Sequence, residues 1–153
     1  MICFKPAQAE SDIRIFKGRT GQFIFCSTVD VYTKPPTTFP VSESQERKAL
    51  SDYGRDKARC EDLFIQAHQD GHFPVTILRP AHTYGEGGNI IHTFGWGTYF
   101  LDRLRKGKPV IVHGNGEALW VSCHVDDVGR GFVNAVGNQK AFGKTYHLTG
   151  EEW

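Results

Sequence analysis

Two short runs of strand-forming residues constrain the fold of this chain more than anything else in it. "QFIFCS" (residues 22–27) and "PVTILR" (residues 74–79) are rich in β-branched and aromatic side chains and lack a clean in–out alternation. Runs of that kind suit strands buried on both faces, which parallel sheets covered by helices provide. "PVIVHG" (109–114) and "KTYHLTG" (144–150) read as two further strands. Between them the residues change to helical patterns. "AESDIRIFKG" carries Ile13 and Phe16 among charges and stops at Gly18, and a longer charged segment runs from Ser51 to Gly71. "TYFLDRLRKG" and "DDVGRGFVNAVG" complete the set, the second with Asp126 and Asp127 placed to cap it. "TKPPTTFP", with three prolines in eight residues, is a loop. Strands alternating with helices predict an α/β layered fold with a parallel sheet.

Composition narrows the function classes. The 153 residues suffice for one domain with a real core. Lys plus Arg number 18 against 17 Asp plus Glu, a balance that argues against nucleic acid as the partner. No apolar run approaches the ~20 residues of a membrane span. Cys3, Cys26, Cys60 and Cys123 have no paired spacing and read as reduced, mostly buried thiols, which suits a cytoplasmic protein.

The stretch "SDYGRDKARCE" (51–61) holds the candidate chemistry. On a helix, Tyr53 and Lys57 stand at i and i+4 and project from one face. A free phenol has a pKa of about 10, and a nearby ammonium favours the phenolate. Such a pair can pass a proton to or from an alcohol or carbonyl. Alone it is no more than a surface contact. Upstream, however, Ser27 and Thr28 fall at the carboxyl end of a predicted strand, where open α/β sheets bind ligands.

The other polar candidates are structural on their spacing. His68 and His72 stand at i and i+4, but Gly71 interrupts the helix and no third metal ligand follows. His113 and His124 lack a ligand cluster, so no metal site is expected. Gly114-Asn115-Gly116 reads as a tight turn. "RLRKGK" reads as a solvated helix end, and Phe94, Trp96, Tyr99 and Phe100 as packed core.

Several segments together resemble the extended short-chain dehydrogenase/reductases, the NAD-dependent epimerase/dehydratase family. "FCST..VY" (Phe25 to Thr28, then Val31-Tyr32) is similar to the family's F-S-S-[ST]-x-x-V-Y, and Tyr53 and Lys57 to its Y-x-x-x-K at the familiar interval. "LRPAHTYGEGG" is similar to L-R-P-x-x-x-Y-G-P-G, and "VIVHGNG…HVDDVGRGFVNAV" to the G-D-G…H-V-D-D segment. The resemblance covers essentially the whole chain. It implies a truncated Rossmann-like parallel sheet with flanking helices plus a small substrate-binding region. Residues 1–80 and 124–149 would form the first, and 81–123 with 150–153 part of the second.

The resemblance also implies roles. Thr28 would hydrogen-bond the reacting oxygen, Tyr53 would be the general acid/base, and Lys57 would depress its pKa and hold the nicotinamide ribose. Ser27, Tyr53, Pro80 and Ala81 would lie against NAD or NADP. His82, Tyr84 and Trp120 would contact a small-molecule substrate, a sugar or a similar carbonyl or alcohol. A homodimer would form through the helix before "QFIFCS" and the helix carrying Tyr53, with Ile13, Phe16, Leu63 and Phe64 as contacts. A non-catalytic relative that binds RNA is the alternative.

Three departures stand out. Cys26 replaces a serine, and Asp56 precedes Lys57 where a small hydroxyl residue is usual. Trp120 and Val121 stand where members acting on nucleotide-diphosphate sugars commonly carry arginine and aspartate. The glycine-rich phosphate loop that opens the family's fold occurs nowhere in the sequence. Its absence implies a longer parent, with roughly a hundred further residues, judged from the size of such a half. This chain would then bind the dinucleotide poorly and turn over nothing by itself.

Overall fold

The computed structural model describes residues 3–150 apart from 37, 88–90, 93–94, 97, 113 and 118, with only the backbone described at 91, 92, 95 and 96. In chain order the elements are α1 (Pro6–Phe16), β1 (Phe23–Cys26), a 3₁₀ turn (Val29–Val31), α2 (Asp52–Gln69), β2 (Val75–Pro80) and β3 (His82–Tyr84). They continue with β4 (Ile91–His92), β5 (Gly95–Trp96), α3 (Tyr99–Arg105), β6 (Ser122–His124), α4 (Val125–Ala135), a second 3₁₀ turn (Gln139–Ala141) and β7 (Lys144–Leu148).

The main sheet has the order β1-β2-β7 and is parallel throughout. Phe23 pairs with Val75 and Cys26 with Leu78, while Thr76 pairs with Lys144 and Pro80 with Leu148. The central strand β2 is buried along all but its last residue, which accounts for its unalternating sequence. Helices α1 and α2 pack on one face. Their core with the sheet is aromatic: Phe23, Phe25, Phe64 and Phe73 cluster with ring centroids 4.8–5.9 Å apart. Helix α4 covers β2 and β7. It lies so close that a Cβ on Gly131 would stand 2.6 Å from Leu148 Cδ2. Gln22 ties the start of β1 to the end of α4. Its side-chain amide donates to Thr76 Oγ1 at 3.0 Å and Ala135 O at 2.8 Å, while its oxygen accepts from the Gly137 amide.

Local chemistry explains the helix ends. Pro6 at the first helical position suits a start whose amide lacks an intrahelical acceptor, and Gln8 Oε1 accepts from the Phe4 and Lys5 amides. Ser51 caps α2, its Oγ accepting from Gly54 N–H at 2.9 Å. Asp126 and Asp127 do not cap α4 as the sequence suggests. His124 does, its Nδ1 accepting from Asp126 N–H, and the two carboxylates fall in the first turn instead.

A buried polar network crosses the core behind the sheet's carboxyl end. Arg79 grips Glu61 bidentately at 2.8 and 2.6 Å, and Arg47 adds a contact to the same carboxylate at 2.9 Å. Arg79 Nη1 also donates to Tyr32 Oη and to Glu43 O. The Tyr32 hydroxyl lies 2.5 Å from His147 Nε2 on β7. With Arg79 already donating to the phenol, the buried O–H is satisfied by donating to Nε2, which leaves the Nδ1 proton facing Glu43.

Two expectations fail. "PVIVHG" forms no strand among its described residues, because β-branched residues adopt strand only against a partner. Ile111 and Val112 stand exposed. Instead "HTY" and "SCH", too short and polar to read as strands, pair in parallel as β3 and β6. The expected packed core around Tyr99 and Phe100 is not seen among the described residues, where α3 fully buries none of its residues and Tyr99 is largely exposed. Phe94 and His113 lie outside the described residues, as does the Trp96 side chain. The turn at Gly114-Asn115-Gly116 is present, with both glycines at positive φ and Asn115 Oδ1 accepting from the Glu117 amide.

Candidate active site

The carboxyl ends of the three parallel strands open on one side, and the predicted site residues gather there. Ser27 continues β1, its amide donating to Leu78 O at 2.7 Å. Its Oγ is buried and has no hydrogen-bond partner. Thr28 turns the chain into the 3₁₀ turn, and its Oγ1 accepts from Asp30 N–H at 3.1 Å. The threonine's own O–H remains able to donate, and the 3₁₀ turn that follows Thr28 packs against α2, close enough for Thr28 to hold down the Tyr53 pKa. The sheet end thus brings Thr28 and Tyr53 together, from segments that are distant in sequence.

One turn along α2 from Tyr53, Lys57 is only 3% exposed. Its ammonium donates to Cys26 O at 2.7 Å and Cys3 O at 2.8 Å. The rings of Phe25, Phe4 and Tyr53 surround it, with centroids 4.8, 4.9 and 5.9 Å from Nζ. Burial lowers the Lys57 pKa. Tyr53, 45% exposed, has its pKa raised rather than depressed. Burial is the largest cause, Cys26 and Asp30 add to it, and the Thr28 hydrogen bond opposes them. The expected acidification by Lys57 is outweighed by burial, and the ammonium donates to two backbone carbonyls rather than to the phenol. Asp56 pairs with Lys5 at 2.6 Å, away from the Tyr53–Lys57 face.

The remaining predicted residues sit at the end of β2, in β3 and just ahead of β6. Pro80 pairs with Leu148, and the buried Ala81 donates its amide to Leu148 O at 2.9 Å. His82 opens β3, with its ring 6.3 Å from that of Trp120, and burial lowers its pKa so the imidazole is neutral at pH 7. Trp120 is 56% exposed. Tyr84 makes an edge contact with His124 at 5.4 Å. His82 and Trp120 therefore form one aromatic pair, and Tyr84 and His124 another. Arg103 donates to Pro109 O and Lys106 pairs with Asp102, so neither cation is uncommitted.

Two residues outside the sequence expectations join the site. Asp30 accepts hydrogen bonds from Ser51 Oγ and Lys34 Nζ, which joins the Thr28 turn to the start of α2. The only sequence signal was the serine ahead of an acidic first turn, and that marks a helix start rather than a tie between segments. No group of three or more metal-ligating side chains occurs among the described residues. His68 instead bonds Phe73 O through Nδ1.

Comparison with known proteins places this geometry in a family. The model of the NAD dependent epimerase/dehydratase family matches residues 13–148, and the chain belongs to that family. The 2'-dehydrokanamycin reductase of Streptomyces kanamyceticus is 28% identical over 148 residues, 97% of this chain and 42% of that protein. The chloroplast stem-loop binding protein of 41 kDa b of Arabidopsis thaliana is 28% identical over 132 residues, 86% of this chain and 32% of its own length. Among solved structures, UDP-glucuronic acid 4-epimerase from Bacillus cereus, in complex with UDP-glucuronic acid and NAD, superposes with a TM-score of 0.73 at 25% identity. That match covers 94% of this chain and 45% of the epimerase. The chain thus spans less than half the length of these relatives.

Proposed function

We propose that this chain is the catalytic and substrate-side portion of an NAD(P)-dependent epimerase, dehydratase or reductase acting on a sugar or a similar alcohol or carbonyl. The observation that carries this reading is the packing of the turn after Thr28 against the first turn of α2, which carries Tyr53 and, one helical turn on, a buried lysine. Thr28 holds the substrate oxygen by donating its O–H. Tyr53, whose pKa is not lowered and which is therefore protonated at neutral pH, gives its proton to a developing alkoxide. Lys57 supplies the positive charge behind that transfer. Residues 81–123 carry the substrate, with His82, Tyr84 and Trp120 on its surface.

The residues present fit the nicotinamide end of the cofactor. Ser27 Oγ is a buried polar atom without a partner, and Lys57 has a third N–H beyond the two it donates to backbone. Ser27, Lys57, Pro80 and Ala81 would hold that end, and the bound nicotinamide would supply the hydride acceptor or donor. Nothing in the sequence supplies the glycine-rich turn that seats a pyrophosphate. The cofactor's phosphates therefore need a nucleotide-binding half from a longer parent, and the 153 residues alone do not turn over substrate. A cytoplasmic setting fits the four free thiols.

A homodimer through α1 and α2 remains part of this reading, with one change. Phe64 is fully buried in the core, and Ile13, Phe16 and Leu63 pack partly against it. Ile15, exposed on α1, is the better candidate contact.

The similarity to a stem-loop binding protein favours a second reading, in which the fold binds RNA without catalysis. Calorimetric titration with NADH and with RNA, on this chain and on the polypeptide read through the coding sequence upstream of Met1, separates the two. The enzyme reading expects NADH affinity only in the longer form, and turnover that Tyr53→Phe abolishes. Salt-dependent RNA retention without reductase or epimerase activity would replace it with the second.

A further inference from the structure

Asp30 touches both segments that build the candidate relay. Its amide donates to Thr28 Oγ1 at 3.1 Å. Its carboxylate accepts from Ser51 Oγ and, on the other oxygen, from Lys34 Nζ. Ser51 Oγ in turn accepts from Gly54 N–H at 2.9 Å. A continuous path of hydrogen bonds thus runs from Thr28 through Asp30 and Ser51 to the amide next to Tyr53. The backbones meet as well, since a Cβ on Gly54 would stand 2.4 Å from Asp30 O and 2.7 Å from Ala49 Cβ.

Resting on the reading of Thr28 and Tyr53 as the proton relay, we propose that Asp30 is the positioning residue of this site. It holds the Thr28 turn against the first turn of α2 and so sets the approach of the two hydroxyls. A carboxylate suits the task because its two oxygens accept from Ser51 and Lys34 at once, both as charge-assisted bonds. Asparagine offers one acceptor and no charge.

The test uses the 153-residue chain and needs no turnover. The Thr28 methyl resonance reports the turn, and amide exchange at Gly54 reports the start of α2. Asp30→Asn is expected to shift the Thr28 methyl resonance and to speed amide exchange at Gly54 about fivefold, the scale of a lost helix cap. Ser51→Ala is expected to shift the Thr28 methyl resonance, which loss of a cap on α2 alone would not do. Asp30→Ala combined with Ser51→Ala should be non-additive at that resonance. A Thr28 resonance indifferent to Ser51→Ala, or Gly54 exchange unmoved by Asp30→Asn, overturns the proposal. If Asp30→Ala does not fold, Asp30→Asn and Ser51→Ala carry both readouts. In the longer polypeptide, activity that survives Tyr53→Phe defeats the relay and not the clamp, whereas an unmoved Thr28 resonance defeats the clamp alone.

Discussion

Lys57 Nζ donates to the carbonyl oxygen of Cys26 at 2.7 Å, so the buried ammonium on α2 closes the end of strand β1. With Cys3 O as its second acceptor, it also fastens the segment leading into α1. Replacing it with an isosteric apolar chain strands two carbonyl oxygens. Lys57→Met is expected to lower stability by about 1–3 kcal/mol, read from the urea unfolding midpoint. Lys57→Arg should not restore it, because a planar guanidinium does not fit a site shaped for a point charge.

Gly54 should resist a change that ordinarily helps helices. Glycine to alanine in a helix interior gains about 1 kcal/mol. Here the new methyl meets Asp30 O and Ala49. Gly54→Ala is expected to cost about 1–3 kcal/mol net, the scale of overpacking. A raised melting temperature would mean that the Thr28 turn can back away from α2 freely.

The Arg79–Glu61 pair is buried on both sides. Glu61→Gln leaves the Arg79 charge without its counter-ion and should cost about 3–5 kcal/mol in chemical denaturation. Glu61→Leu with Arg79→Met should recover most of that, since neither charge is then stranded. If the double variant is no better than Glu61→Gln, the network's bonds to Tyr32 and Arg47 dominate.

Acid should loosen the same region through His147. Burial, the largest cause, lowers its pKa, so the unfolded chain takes up a proton at a pH where the folded chain does not. Stability is therefore fully present above the unfolded value of about 6.5 and falls as pH drops from there through the folded pKa. Glu43, also lowered, adds a loss of the same sign at more acidic pH. Arg79 and Glu61 act on the imidazole in opposite senses, the guanidinium lowering its pKa and the carboxylate raising it. Thermal melts from pH 7.5 to 5 should show a decline that His147→Gln flattens. An identical slope in that variant would assign the acid sensitivity elsewhere.

Trp120 bears on the substrate. An indole offers one donor, where an arginine would offer a charged fork to a diphosphate. The longer polypeptide is expected to turn over UDP-hexoses poorly and smaller or less anionic carbonyl compounds better. Efficient turnover of UDP-glucose or UDP-galactose sinks this. Trp120→Arg alone should not create that activity, because Val121 follows and the aromatic contact with His82 is lost.

What could be read from sequence follows from where the energy resides. The strands β1, β2 and β7 were legible because burial by helices selects their residues one by one, as at Val75 and Ile77. Tyr53 and Lys57 were legible because helical spacing alone puts them on one face. The strand expected at Ile111 was not there, since a ladder needs a neighbour and β-propensity does not say whether one exists. The pairing of His82 with Ser122 escaped notice for the converse reason, because polar residues become strand once a partner arrives. Asp30 could not be read at all. Its role depends on two segments meeting in space, and a lone aspartate before a valine carries no trace of that meeting. Nor could spacing reveal that Lys57 would turn to Cys3 O and Cys26 O, so the sign of the Tyr53 shift had to come from the structure.

The order of the sheet has a consequence for how the chain is made. The middle strand, β2, lies between β1, which precedes it in the chain, and β7, which follows only after β3 to α4. Until residues 144–148 emerge, Val75–Pro80 has one side of its backbone unmatched, and α4 has no β7 on which to settle. Helices α1 and α2 with β1 can collapse on the phenylalanine cluster well before that. Synthesis therefore sets a waiting period in which the aromatic half is assembled and the relay end of the sheet is still open on one flank, until β7 emerges and closes it.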